Sequence, residues 1–192
     1  MPNIIILGAP GSGKGTQSEK LIDKYNLHHI STGELLRSHI ASQTELGKLA
    51  DSFISIGQLI PDELMIDILA HTIDNEPAVK SRGVILDGFP RTIPQAEALK
   101  KLLADRDLAV DAVIGLEVPE EQLIERMIKR GQQTGRADDV PETINNRLKV
   151  YRDQTEPLRK YYADEGSYLP IDGTGTVDEI FDRIQAAVEG NS

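Results

Sequence analysis

The stretch Asn3–Thr16 reads NIIILGAPGSGKGT. Asn3–Leu7 is a short apolar run bounded by Pro2 and Gly8. It is too short for a buried helix and rich in Ile, so it predicts an interior strand. Directly after it, Gly8, Gly13 and Lys14 fall on the pattern G-x-x-x-x-G-K. Glycines there let the backbone curl until successive N–H groups point at phosphate oxygens. The following helix adds the positive end of its dipole, and Lys14 adds a point charge for β and γ phosphates. One position departs from the general pattern. Gly15 stands where Ser or Thr commonly contacts magnesium, with Thr16 one place later. Strand before and helix after argue against a chance Gly-rich turn with a solvated lysine.

Working outward, Val84–Leu86 and Ala112–Leu116 are two more short apolar runs, and His28–Ile30 and Tyr168–Ile171 are weaker strand candidates. Segments with helical spacing separate them. Strands alternating with helices predict a parallel sheet covered on both faces. Ser31 with Glu34, Thr176 with Glu179, and Asp139 with Glu142 fit the capping box. The last of these predicts a long helix over about Pro141–Ala163, and Pro61 opens one running to about Asp74. Thr32–Ala78 is helical throughout and lies between two strands, which predicts a small inserted subdomain. Gly131–Gly135 (GQQTG) reads as a mobile loop.

The 192 residues correspond to one domain with a core of its own. The absence of Cys excludes disulfides, thiol nucleophiles, iron–sulfur clusters and Cys-based zinc sites. It agrees with a reducing compartment, and the expected location is the cytoplasm. Acids outnumber bases 31 to 21, a net charge of −10. Such a surface repels nucleic acids and anionic membranes unless its bases cluster, so neither is an expected partner. No apolar run approaches the ~18 residues of a membrane span. No basic segment precedes the first apolar run, so a signal peptide is not expected. His28, His29, His39 and His71 share no ligand spacing and read as structural or solvated. Gly83–Arg91, GVILDGFPR, delivers Asp87 at the carboxyl end of a strand. That is where open α/β sheets bind ligands, and an acid there suits magnesium.

GAPGSGKGTQ (8–17), ISTGELLR (30–37), GQLIPDEL (57–64), LDGFPRTIPQA (86–96), RMIKRGQQTGRADD (126–139), ETINNRL (142–148) and IDGTGTVDEIF (171–181) follow in this order. Together they resemble the adenylate kinases, within the nucleoside monophosphate kinases, over essentially the whole chain. The resemblance implies a P-loop NTPase-type α/β fold: a five-stranded parallel sheet with helices on both faces, a helical insertion for the monophosphate (31–60) and a short lid (130–138), in one kinase domain, 1–192. It implies ATP + AMP ⇌ 2 ADP with magnesium, serving adenine nucleotide homeostasis.

Residue by residue, the resemblance puts Gly11, Ser12, Gly13, Lys14, Gly15 and Thr16 around the ATP phosphates. Arg126 and Arg130 would flank ATP, with Gly175 near its adenine. Thr32, Arg37, Gln58, Leu59, Ile60, Gly88, Phe89, Pro90, Arg91 and Gln95 would hold AMP. Arg136 and Arg147 would complete the clamp, and Lys14, Arg91, Arg130, Arg136 and Arg147 would act on the transferring group. Magnesium would be held by Asp87 through water and by Thr16. Only five residues, Gly131–Gly135, separate Arg130 from Arg136. That leaves no room for the β-rich lid of the long bacterial form, so structural zinc is not expected. A kinase of UMP or CMP is the near rival, and a GTPase-type switch the distant one. The guanine-reading string N-K-x-D is absent. A monomer is the default expectation.

Overall fold

The computed structural model describes residues 2–190. Five strands form the sheet: β1 (Ile4–Gly8), β2 (His28–Ser31), β3 (Val84–Asp87), β4 (Ala112–Glu117) and β5 (Tyr168–Asp172). Every pairing is parallel, in the order β2-β3-β1-β4-β5. The chain leaves β1 for one side of the sheet and crosses to the other only after β3. The crevice at the carboxyl end of β1 is therefore the place where strand order reverses.

Among the described residues, ten α-helices accompany the sheet. They are α1 (Lys14–Tyr25), α2 (Thr32–Ala41), α3 (Glu45–Ile54), α4 (Asp62–Asn75), α5 (Ala78–Arg82), α6 (Ile93–Ala104), α7 (Glu120–Thr134), α8 (Pro141–Val150), α9 (Leu158–Asp164) and α10 (Val177–Gly190). The period-2 alternation of β1 sorts the core. Ile4 and Ile6 pack with Leu21 of α1 and with Ile180 and Ile184 of α10. Ile5 and Leu7 face the opposite cluster, with Leu69 of α4, Leu99 and Leu103 of α6, and Leu158 of α9. The expected two-faced sheet is thus present. No helix among the described residues is long and apolar enough to cross a membrane.

Capping accounts for the helix starts in two of the three expected places. The Ser31 hydroxyl accepts the Glu34 N–H at 3.2 Å. Thr176 and Glu179 form the complete reciprocal box, at 3.2 and 2.8 Å. The third differs. Val140, not Asp139, is the N-cap of α8, and no side chain caps that helix. The expected helix over 141–163 is also interrupted, by a π-helical turn at Tyr151–Thr155. The expected loop at Gly131–Gly135 is helical through Thr134. Helix α7 ends at Gly135 in the left-handed conformation, and the non-helical lid segment is confined to 135–140.

Candidate active site

Gly13, at φ +93°, caps α1 in a conformation that side chains rarely adopt. The turn before it is closed by the Ser12 N–H donating to the Ala9 carbonyl at 3.1 Å. Lys14 folds back over this loop. Its ammonium donates to the carbonyls of Gly8 and Ala9, at 3.0 and 3.2 Å. Burial, against the opposing charge of Asp87 and with the charges of Arg91, Arg147 and Arg130, lowers the Lys14 pKa to about 7. Phosphates arriving here would restore the charge. ATP binding at about pH 8, above the phosphate pKa of about 6, should therefore take up close to one proton per site. Titration calorimetry in buffers of different ionisation enthalpy reads that number. Lys14→Met should abolish the uptake, and its absence in the unsubstituted protein would contradict the assignment.

On one flank of the loop lies a cleft lined by Lys14, Thr32, Arg37, Gln58, Leu59, Ile60, Gly88, Pro90, Arg91, Gln95, Arg136 and Arg147. These residues come from the start of α1, α2, the α3–α4 connection, the β3–α6 loop, α6, the lid segment and α8. The structure thus brings together most of the residues expected for the monophosphate. Phe89 is the exception. It is 1% exposed and packed into the core, so its side chain does not line the cleft. Gln95 is almost fully buried, and its amide oxygen accepts the Arg91 backbone N–H at 2.8 Å. The Arg91 guanidinium donates to the Gly88 carbonyl at 2.9 Å.

Asp139, which the sequence pattern marks as a helix cap, holds arginines instead, and its neighbour Asp138 joins it. Asp139, with its side chain fully buried, takes a two-pronged contact from Arg130 at 2.5 and 2.8 Å and one from Arg147 at 2.7 Å. Asp138 sits 3.4 Å from Arg136 and 3.5 Å from Arg147. Burial alone would raise the pKa of Asp139. The hydrogen bonds from Arg130 and the charges of Arg130, Arg136 and Arg147 overcome it and hold the carboxyl below its usual value. Burial, with mutual repulsion, lowers the pKa of Arg37, Arg91 and Arg147. Of the charged residues that line the cleft, Lys14, Arg37, Arg91, Arg136 and Arg147 are basic and Asp138 is acidic, in a chain of net charge −10. The Nε of Arg136 is buried with no hydrogen-bond partner. A cleft with surplus cations suits a polyanion.

On the other flank, Arg126 of α7 bridges the Ser12 carbonyl at 3.4 Å and the Gly173 carbonyl at 3.1 Å. It ties the phosphate loop to the β5–α10 connection, which holds Gly175. Arg126, Arg130, Thr16 and Gly175 do not line the cleft. Of the residues expected around ATP, only Lys14 therefore lines the cleft. Asp87, half-buried at the end of β3, lies within electrostatic reach of Lys14 and Arg91. Among the described residues no ion pair or side-chain hydrogen bond engages its carboxylate. It is thus available to a cation's water shell. Among the described residues no three His, Cys, Asp or Glu side chains group as metal ligands. A hard dication here would rely on one carboxylate, water and a nucleotide's own oxygens, a habit of magnesium. None of the four histidines lines the cleft.

The sequence model of the adenylate kinase family matches residues 6–167. An adenylate kinase of Phocaeicola vulgatus is 59% identical over 189 residues, covering 98% of this chain and 99% of its own. An adenylate kinase of Bacteroides fragilis is 57% identical with the same coverage. One of Porphyromonas gingivalis is 51% identical, over 98% of this chain and 96% of its own. With a family match spanning most of the sequence and relatives this similar end to end, the chain belongs to the adenylate kinase family, the nucleoside monophosphate kinases that convert ATP and AMP to two ADP.

Proposed function

We propose that the chain transfers the γ-phosphoryl group of ATP to AMP, with ATP on the Arg126 side of the phosphate loop and AMP in the cleft. The observation that carries this reading is the position of Lys14, on the loop itself and in the lining of the cleft, among Arg37, Arg91, Arg136 and Arg147. Phosphoryl transfer needs in-line positioning and cancellation of charge rather than covalent help. The acceptor, a phosphomonoester of pKa about 6, is largely a dianion at neutral pH. Its oxygen is already a nucleophile, so no general base is required. Gly11, Ser12, Gly13, Gly15 and Thr16 would cradle the donor phosphates through backbone N–H groups. Arg91 and Arg147 would grip the acceptor phosphate, Arg136 and Lys14 the group in flight. Magnesium arriving with ATP fits Asp87, through water, and Thr16; it supplies charge against the β and γ oxygens.

Water must be kept out, or ATP would be hydrolysed. The 31–60 insertion and the 130–138 lid both carry cleft residues, so bound phosphates would draw them together. A soluble cytoplasmic monomer is the accompanying reading. Its support is a surface whose large exposed apolar side chains, Leu49, Ile56, Val140 and Val177, are few. An assay of ATP with AMP, CMP, UMP and GMP tests the substrate. AMP should be strongly preferred; equal or better turnover of CMP or UMP would move the chain to the rival kinases.

A further inference from the structure

We propose that Asp62, which does not touch the cleft, fixes the sense of the Gln95 amide and thereby makes the site select 6-amino over 6-oxo purines. The inference rests on the reading of Gln95 as the residue facing the monophosphate's base.

Asp62 is the first residue of α4. One of its oxygens, Oδ1, accepts from Gln95 Nε2 at 2.9 Å and from the Thr92 hydroxyl at 2.9 Å. Thr92 in turn accepts the Gln95 backbone N–H at 3.3 Å, so its own proton is committed to Asp62. On the other side, Gln95 Oε1 accepts the Arg91 backbone N–H at 2.8 Å. A carboxylate only accepts and a backbone N–H only donates. The nitrogen of the amide must therefore face Asp62, and the oxygen must face Arg91. A flipped amide would set oxygen against carboxylate and N–H against N–H. With Gln95 only 2% exposed, water cannot relieve either clash.

The amide retains one unspent N–H and one unspent oxygen lone pair. A ring nitrogen that accepts, beside a 6-amino group that donates, satisfies both, and adenine carries that pair. A 6-oxo purine puts an acceptor where the amino donor was. To match it the amide would have to turn over, which Asp62 and Arg91 forbid together. Asp62 is thus a positioning residue for specificity, acting through Gln95.

The experiment measures kcat/KM for AMP and for inosine monophosphate, which differs from AMP at position 6 of the base, in the full chain with saturating ATP. Asp62→Ala should lower the AMP-to-inosine-monophosphate ratio about tenfold, the scale set by one unsatisfied buried partner. Asp62→Leu, which keeps the side chain's shape without an acceptor, should do the same. Asp62→Asn keeps an acceptor oxygen and should restore most of the ratio. The KM for ATP should stay constant throughout. A merely structural role would lower turnover of both acceptors alike and leave the ratio unmoved. That result in Asp62→Ala and Asp62→Leu, with Gln95→Ala still lowering the ratio, would overturn the role of Asp62 alone. An unchanged ratio in Gln95→Ala would overturn the reading of Gln95 itself.

Discussion

Lys14→Ala should lower kcat by about 100-fold or more, a barrier increase of about 2.7 kcal/mol or above. The ammonium lies where burial and three arginines have already pushed its pKa down to about 7. It is held there by two loop carbonyls rather than by a carboxylate. The phosphates it meets are the groups that would hold it charged. Its interaction with them would be strong once the site closes and water is excluded. Steady-state kinetics with thermal unfolding as a control checks this. Activity within about threefold of the unsubstituted protein, well short of the usual loss for such a group, would mean that the loop is misread.

Arg136→Ala should also lower kcat by about 100-fold, with much smaller changes in either KM. The side chain is tethered through its buried Nε, 3.4 Å from Asp138 and 3.9 Å from Asp139, and among the described residues no hydrogen bond engages its two terminal nitrogens. The tether keeps the guanidinium in the cleft without spending its terminal donors. Donors left free in the empty enzyme are available to the charge that develops during transfer. An interaction made mainly in the transition state appears in kcat rather than KM. Lys at this position should rescue poorly, because a point charge cannot reproduce the planar fork. A rise in KM with kcat unchanged would reduce Arg136 to a substrate-binding residue.

What could be read in the sequence was local. The strand at Ile4–Gly8, the phosphate loop and the Thr176–Glu179 box depend on neighbours within a few residues, and all are present as expected. Asp139 shows the limit. Its spacing to Glu142 fits a helix cap, but the buried carboxylate meets Arg130 and Arg147 across the α7–α8 junction. Charged partners outcompete a capping N–H for the same oxygens. Gly131 misled in another way. Two glycines around Gln-Gln-Thr suggest a flexible loop, yet a Cβ at Gly131 would lie 2.6 Å from the Asp139 carbonyl oxygen. That glycine allows the lid segment to approach the helix closely, and α7 continues past it. The link from Asp62 to Gln95 spans 33 residues and two helices. Its sequence trace, Pro61-Asp62-Glu63, announced only the start of a helix.

The most direct test is phosphorus NMR of the purified chain with ATP, AMP and magnesium. The β-phosphate signal of ADP should grow as ATP and AMP vanish together, with two ADP formed for each pair consumed and no inorganic phosphate released. ATP consumed without AMP, with inorganic phosphate as the product, would contradict a two-nucleotide phosphoryl transfer site.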